Sequence, residues 1–267
     1  MTVSGQQRAS QNDSTPAINS CASRAATGGC RIIVDPVPAD GAWNMAVDAV
    51  LLESAVEGGT CTVRWYQWNC ATLSLGYFQS PDVALRNDRL AGLPIVRRLS
   101  GGGAIVHHHE LTYSCAVPAE HPLAREPRSL YAAVHERIIG ELARLGLPAA
   151  LRGAAPQANS AEFLCFGRND DFDVVLANHK VLGSAQRRRK GAVLQHGSLI
   201  LSRSEYAAEF PGLSELAGRE ISADRLLGTL PEAMAGLFAP AVCRESLMPA
   251  EQQRSESLVC RASVVHG

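Results

Sequence analysis

Apolar and polar positions along the chain follow two periods. Cys61 to Trp68 alternates, with Val63, Trp65 and Gln67 on one side and Arg64, Tyr66 and Trp68 on the other, which predicts a strand. Short runs at Ile32–Val34, Leu73–Gln79 (ending near Pro81), Pro94–Val96 and Leu111–Val117 predict further strands. Phe172–Leu176, the turn Ala177–His179 and Lys180–Gln186 form a hairpin signature, followed by Ala192–Leu201 as a long strand or strand pair. Helical spacing governs two long segments. Trp43–Val56 is apolar over most of its surface and stops at Gly58-Gly59. Leu130–Leu145 places Tyr131, Val134, Ile138, Leu142 and Leu145 on one stripe behind Ser129 as cap, with Gly146 as stop. Asp82–Ala91 reads as a short helix, and His121–Arg128 and Leu151–Ala161 as loops. Arg187–Lys190 reads as a basic connection. Beyond Ser202 the pattern is helical: Ser222 caps a helix through Leu230, Pro231 starts the next, and Pro249 opens a last one toward Ala262.

Strands and helices in this order predict an α+β fold, a mixed or antiparallel sheet with packed helices. No internal repeat or interdomain linker divides it, so residues 30–267 are expected to form one domain with a helical C-terminal end. Residues 1–29, rich in Ser, Gln, Ala, Asn and Thr, are expected to be a disordered tail. They are too short and polar for a DNA-binding helix-turn-helix, and they lack the apolar segment of a secretory signal. A net charge of −1 gives no global attraction to nucleic acid or an anionic membrane. No apolar run approaches the roughly 20 residues that span a bilayer. The eight cysteines form no Cys-x-x-Cys pair, so the expected setting is a reducing cytoplasm with free thiols.

Three features carry candidate chemistry. Arg97-Arg98-Leu99-Ser100-Gly101-Gly102-Gly103-Ala104 joins two cations to three glycines. Ordering that glycine run is entropically costly, and its successive N–H groups can form a concave site. A plain glycine turn is the bland alternative. Cys165, flanked by Phe163, Leu164 and Phe166, becomes a nucleophile if a nearby cation favours its thiolate, and is otherwise a core residue. Lys180 opens the strand to Gly183-Ser184-Ala185-Gln186; buried, it would supply that cation or relay a proton, and exposed it is a hairpin charge. His107-His108-His109 alternates faces along a strand and has only Glu110 at ligand-like spacing, so no metal site is expected.

Several segments together resemble the biotin/lipoate protein ligase and octanoyltransferase superfamily over roughly Ile32–Leu201: Asn44-Met45-Ala46-Val47-Asp48, Leu73–Gln79, Arg97–Ala104 with His107, Lys180–Gln186, and Gln195-His196-Gly197-Ser198. The resemblance implies that superfamily's catalytic-domain fold. Cys165 shortly before the Lys180 hairpin, and the Gln186–Gly197 run, are similar to the cysteine-dependent octanoyltransferases of the Gram-positive type. The resemblance then implies transfer of octanoate from acyl carrier protein to a lipoyl-domain lysine, such as that of glycine cleavage H protein or a 2-oxoacid dehydrogenase E2, in lipoate biosynthesis. Cys165 and Lys180 would be catalytic. Arg97, Ser100, Gly101, Gly102, Gly103, Ala104, His107, Gly183, Ser184, Ala185, Gln186 and His196 would bind substrate, with no cofactor. Leu73, Leu75 and Ile105 would sheath the acyl chain. Gly167-Arg168-Asn169-Asp170 instead resembles the ATP-dependent lipoate ligases, for which ATP and magnesium would be needed. Relatives that move the acyl group between lipoyl domains imply an amidotransferase, and a carrier-binding module without a usable nucleophile is the non-enzymatic alternative.

Overall fold

The computed structural model describes Met1 and residues 28–82, 87–154, 164–167 and 169–264. Nearly all of the expected N-terminal tail, the middle of the expected Asp82–Ala91 helix, most of the Leu151–Ala161 loop, Phe163 and Arg168 lie outside the described residues. In chain order the elements are β1 (Cys30–Val34), α1 (Gly41–Val56), β2 (Cys61–Tyr66), β3 (Thr72–Leu75), β4 (Ile95–Arg97), β5 (Ile105–His107), β6 (Glu110–Val117), α2 (Pro122–Arg125), α3 (Pro127–Arg144), β7 (Ala150–Leu151), β8 (Val174–Leu176), β9 (His179–Arg189), β10 (Ala192–Ile200), α4 (Leu213–Ala217), α5 (Ala223–Leu227), α6 (Leu230–Ala235), β11 (Val242–Arg244) and α7 (Pro249–Val264). A 3₁₀ turn at Cys165–Gly167 precedes β8.

Eight strands form one mixed sheet in the order β11-β1-β2-β6-β10-β9-β8-β7. β11, β1 and β2 run parallel and the rest pair antiparallel. A smaller sheet, β4-β3-β5, carries the glycine-rich loop. The α+β expectation holds. Helix α1 packs Val47, Leu51, Leu52 and Ala55 on one face of the large sheet, against Ile33, Ala116 and Leu194. Leu130, Val134, Ile138 and Leu142 of α3, with Leu230 and Met234 of α6, cover the other face. Because both faces are covered, all six residues of β2 are buried, and its alternation separates two packed layers rather than core from water.

Polar groups on the α1 face are paired. Arg64 is fully buried; it donates to Asp35 Oδ2 at 2.6 Å, Asp48 Oδ1 at 3.0 Å and Asn44 Oδ1 at 2.9 Å. This network ties β1, β2 and α1 and explains why Asn44 and Asp48 stand in an otherwise apolar helix.

Several boundaries differ from the expectation. Helix α3 begins at Pro127 rather than behind Ser129, because a proline at the first helical turn gives up no intrahelical bond. Pro122–Arg125 is a helical turn, its first N–H groups satisfied in part by the His121 side chain. Arg187–Arg189 are not a connection: they pair with Leu194–Ala192, and the turn is Lys190-Gly191, both at positive φ. β11 had no sequence signal; it is three residues at a parallel edge.

Candidate active site

Two antiparallel central strands and the glycine-rich loop enclose a cleft that is open to solvent. Its walls include Gly183, Ser184 and Ala185 of β9, His196, Gly197 and Ser198 of β10, Gly102 of the loop, and Cys165 and Phe166 of the 3₁₀ turn, while Met45 of α1 and Tyr66 of β2 also face it. Gly197 is required here, since a β-carbon would lie 2.3 Å from Ser184 Oγ and 2.5 Å from the Tyr113 ring.

Arg98 organises the glycine loop from beneath. It is buried, and its two terminal nitrogens donate to Ser74 O and Oγ at 2.8 Å each, to Gly101 O at 3.0 Å and to Gly103 O at 2.8 Å. Burial pulls its pKa down to about 10, and the negative charge of a Cys165 thiolate works in the opposite sense. Arg98 and Cys165 line the same cleft. The loop also closes on β3: a β-carbon on Gly76 would stand 2.2 Å from the Gly102 carbonyl oxygen, and Gly102 adopts φ +95°.

Cys165 is half-buried at the cleft wall. Its N–H donates to the Ala104 carbonyl at 2.7 Å, joining it to the end of the glycine loop. Lys180 is buried; its Nζ donates to the Cys165 carbonyl at 3.2 Å and pairs with Asp173 Oδ1 at 2.9 Å. The lysine reaches this place because Gly183 has no side chain, for a β-carbon there would lie 2.6 Å from Lys180 Cε. Burial raises the Asp173 carboxyl above its usual range, and the adjacent Lys180 charge offsets part of that rise.

Two histidines line the cleft with their hydrogen bonds already committed. His107 Nδ1 bonds Glu110 Oε1 at 2.7 Å and Nε2 bonds Ser74 Oγ at 2.6 Å, under a parallel Trp68 ring centred 3.9 Å away. Burial lowers the His107 pKa, and Glu110 opposes this. His196 lies between Ser100 Oγ, 2.5 Å from Nε2, and Asp48 Oδ2, 3.2 Å from Nδ1. Burial opposes the Asp48 charge, yet the bond from His196 and the Arg64 cation hold its pKa below the usual carboxylate value.

On the α3 side, His135 Nδ1 lies 2.5 Å from the Phe172 carbonyl, which can only accept, so Nδ1 carries the hydrogen. Burial pushes the His135 pKa down to about 4, leaving the ring neutral with Nε2 as acceptor for Ser184 Oγ at 2.7 Å. Tyr113 then donates to Ser184 at 2.8 Å, Gln195 to Tyr113 at 2.8 Å, and Gln186 to Gln195 at 2.8 Å.

Of the candidate substrate-binding residues, Gly102, His107, Gly183, Ser184, Ala185 and His196 line the cleft beside Cys165. Ser100, Gly101, Gly103 and Gln186 stand behind it through the bonds above, and Ala104 holds the Cys165 backbone. Arg97 does not enter the cleft; it is exposed and donates to the carbonyls of Gly76, Tyr77 and Gln79. Leu73 and Leu75 are buried beneath the loop, and only Ile105 of the expected acyl sheath reaches the cleft. Asp173 and His135 escaped sequence reasoning; Arg98 was read as one of the loop's two cations, but Arg97 rather than Arg98 was placed among the binding residues. Among the described residues no cluster of His, Cys, Asp or Glu is arranged to hold a metal ion. No helix of the described residues is long and apolar enough to cross a membrane. Among the described residues six cysteines are free thiols and Cys243 is disulfide-bonded, against the expectation of thiols throughout.

A half-buried cysteine, a buried lysine bound to its backbone carbonyl and a glycine loop thus stand together at one open cleft. Residues 40–210 match the lipoyl protein ligase A/B catalytic domain, and the chain belongs to that family. Among curated proteins it is similar to octanoyltransferase LipM of Brevibacillus brevis, 38% identical over 60% of this chain and 62% of that protein. Octanoyltransferase LipM of Moorella thermoacetica is 31% identical over 85% of this chain and 93% of its own length. The aligned region thus spans under two thirds of the first relative and nearly all of the second. The fold is shared with a lipoate-protein ligase A solved with ATP, at TM-score 0.66 and 19% identity over 87% of this chain and 95% of that one. It is shared also with an archaeal bi-partite lipoate protein ligase from Thermoplasma acidophilum, at TM-score 0.66 and 17% identity over 88% and 93%.

Proposed function

We propose that the protein is an acyltransferase that moves an octanoyl group from acyl carrier protein to a lysine of a lipoyl domain, in lipoate biosynthesis, through a thioester on Cys165. The observation that carries the reading is Cys165 on the cleft wall, with Lys180 bound to its backbone carbonyl and Arg98 supplying positive charge in the same cleft. The similarity to two LipM octanoyltransferases supports the same reaction. The acceptor is the lipoyl domain of a glycine cleavage H protein or a 2-oxoacid dehydrogenase E2.

The Cys165 thiolate attacks the carbonyl of the octanoyl thioester. The carrier's C–S bond breaks, its sulfur leaves as thiolate and takes up the proton released by Cys165. The neutral ε-amine of the target lysine then attacks octanoyl-Cys165. The amide bond forms, the C–S bond to Cys165 breaks, and the amine's proton returns to the thiolate through Lys180. Thioester exchange is nearly isoenergetic and amide formation is downhill, so the sequence needs no ATP. The glycine loop, whose Gly102 lines the cleft, is the source of backbone donors for the developing oxyanion in this reading, and Ile105 contributes to the apolar wall for the acyl chain.

Mixing the protein with octanoyl-carrier protein without ATP, and measuring its intact mass, tests the reading. An added octanoyl group that maps to Cys165, is removed by hydroxylamine and is absent from Cys165→Ala is expected. An unchanged mass, with lipoyl-domain modification only when ATP and free octanoate or lipoate are present, would make the chain a ligase and Cys165 a wall residue.

A further inference from the structure

The mouth of the cleft carries a cationic and aromatic rim that the acyl-transfer steps leave unused. Ala185 lines the cleft, and strand alternation puts Arg187 on the same face of β9, two residues further along. The Arg187 guanidinium sits 5.0 Å from the centre of the Tyr77 ring. Tyr77 belongs to the turn after β3, and its N–H donates to the Ser100 carbonyl at 2.9 Å, so the turn borders the glycine loop. Arg97 anchors the same turn through three carbonyls. Phe78, edge-on to Tyr77 at 4.9 Å, is 87% exposed.

The basic residues here are not equivalent. Arg188 donates to the Ala124 carbonyl, and Arg189 pairs with Glu53. Among the described residues no carboxylate pairs with Arg187 or Arg97; Asp82, beyond the turn, accepts from Ser80 Oγ. Two guanidinium groups with no carboxylate partner among the described residues and an exposed ring therefore stand beside the glycine loop and the cleft-lining strand β9, in a protein whose net charge is −1. Arginine and aromatic side chains are what protein interfaces concentrate.

We propose that this rim docks the acyl donor, an acidic carrier protein that delivers octanoate on a phosphate-bearing arm. The proposal rests on the octanoyl-transfer reading. The two macromolecular substrates differ in the charge they bring past the rim. The donor's arm carries a phosphodiester, which a guanidinium fork matches. The acceptor's arm ends in a lysine ammonium, which the same charges repel. Arg187 with Arg97 thus favours the donor, and Phe78 offers an apolar contact beside them.

The test uses the full chain and follows the half-reactions separately. Acylation of Cys165 is measured with octanoyl-carrier protein and with the uncharged donor octanoyl-N-acetylcysteamine; transfer from octanoyl-enzyme to a lipoyl domain is measured on its own. Arg187→Glu is expected to lower kcat/KM with octanoyl-carrier protein by about tenfold or more, and Phe78→Ser by about fivefold. Rates with octanoyl-N-acetylcysteamine and of the second step stay at wild-type values. Added salt slows the wild-type reaction with octanoyl-carrier protein and leaves Arg187→Glu nearly unchanged. Unchanged acylation by the carrier protein, an equal loss with both donors, or a loss confined to the lipoyl-domain step would each overturn the proposal. Failure of wild-type Cys165 to accept octanoate from either donor would instead overturn the transfer reading beneath it.

Discussion

Lys180 is the residue on which the proposed chemistry turns. Its ammonium is buried with Asp173 and touches the Cys165 carbonyl, so Lys180→Ala removes the proton carrier and leaves a buried carboxyl without its cation. Breaking a buried pair commonly costs about 3–5 kcal/mol. The loss should be smaller here, because burial already raises the Asp173 pKa and without Lys180 that carboxyl can take up a proton. Lys180→Ala is thus expected to stay folded and to lose about 10²–10⁴-fold in octanoyl-transfer rate. A folded variant within about tenfold of wild type would remove Lys180 from the chemistry. At this scale Cys165, Lys180 and most glycine-loop positions were legible because chemistry-bearing residue types stood in a recognisable order. Asp173 and His135 were not: one is brought to Lys180 by the β8–β9 pairing, and the other reaches Ser184 from a helix across the sheet. Arg97 and Arg98 are indistinguishable as residue types. Only the strand's two faces send Arg98 under the loop and Arg97 to the surface turn.

The glycine-rich loop works as an element because it is clamped from two sides, by Arg98 below and by Gly76 of the neighbouring turn. Its glycines are not equal. Gly102 has the positive φ, whereas nothing lies within 4 Å of where a Gly101 β-carbon would stand. Gly76→Ala drives a methyl into the Gly102 carbonyl and is expected to lower unfolding stability by about 1–3 kcal/mol and to slow octanoyl transfer. Gly101→Ala is expected to stay within about 0.5 kcal/mol of wild type. Urea unfolding of both variants decides this, and equal stabilities would show that the loop is not clamped at Gly76. The run of glycines was readable in the sequence, but which of them is obligatory depends on a contact between β3 and the loop. The elements themselves were legible where a period lasted several residues, as in α1, β2 and the β8–β9 hairpin. They were missed where three-dimensional pairing decides: Arg187–Arg189 look like a charged turn, yet extend β9 because Ala192–Leu194 pairs with them.

Across the whole molecule, the stacked layers that form the cleft also bury titratable groups, and this makes stability depend on pH. His135 and His107 are both held neutral by burial, His135 with a pKa of about 4. A histidine whose folded pKa lies below its unfolded value of about 6.5 binds more protons when unfolded. Its contribution is therefore full above that value and is lost as pH falls toward the folded pKa. The slope is about 1.4 kcal/mol per pH unit for each such group in that window. Asp173 acts in the opposite sense, since burial raises its folded pKa and the native state takes up its proton first on acidification. The less buried His108, whose pKa burial also lowers, acts in the histidine sense, and one carboxyl against three histidines leaves that sign in control. Acidification from pH 7.5 to 5 is thus expected to lower the urea midpoint of the wild type. In His135→Gln, which keeps an acceptor for Ser184 but does not titrate, the fall should be smaller and the remainder should belong to His107 and His108. A wild-type midpoint that does not move, or a variant that retains the full fall, would show that the charge on His135 is not excluded by the packing of α3 against β9.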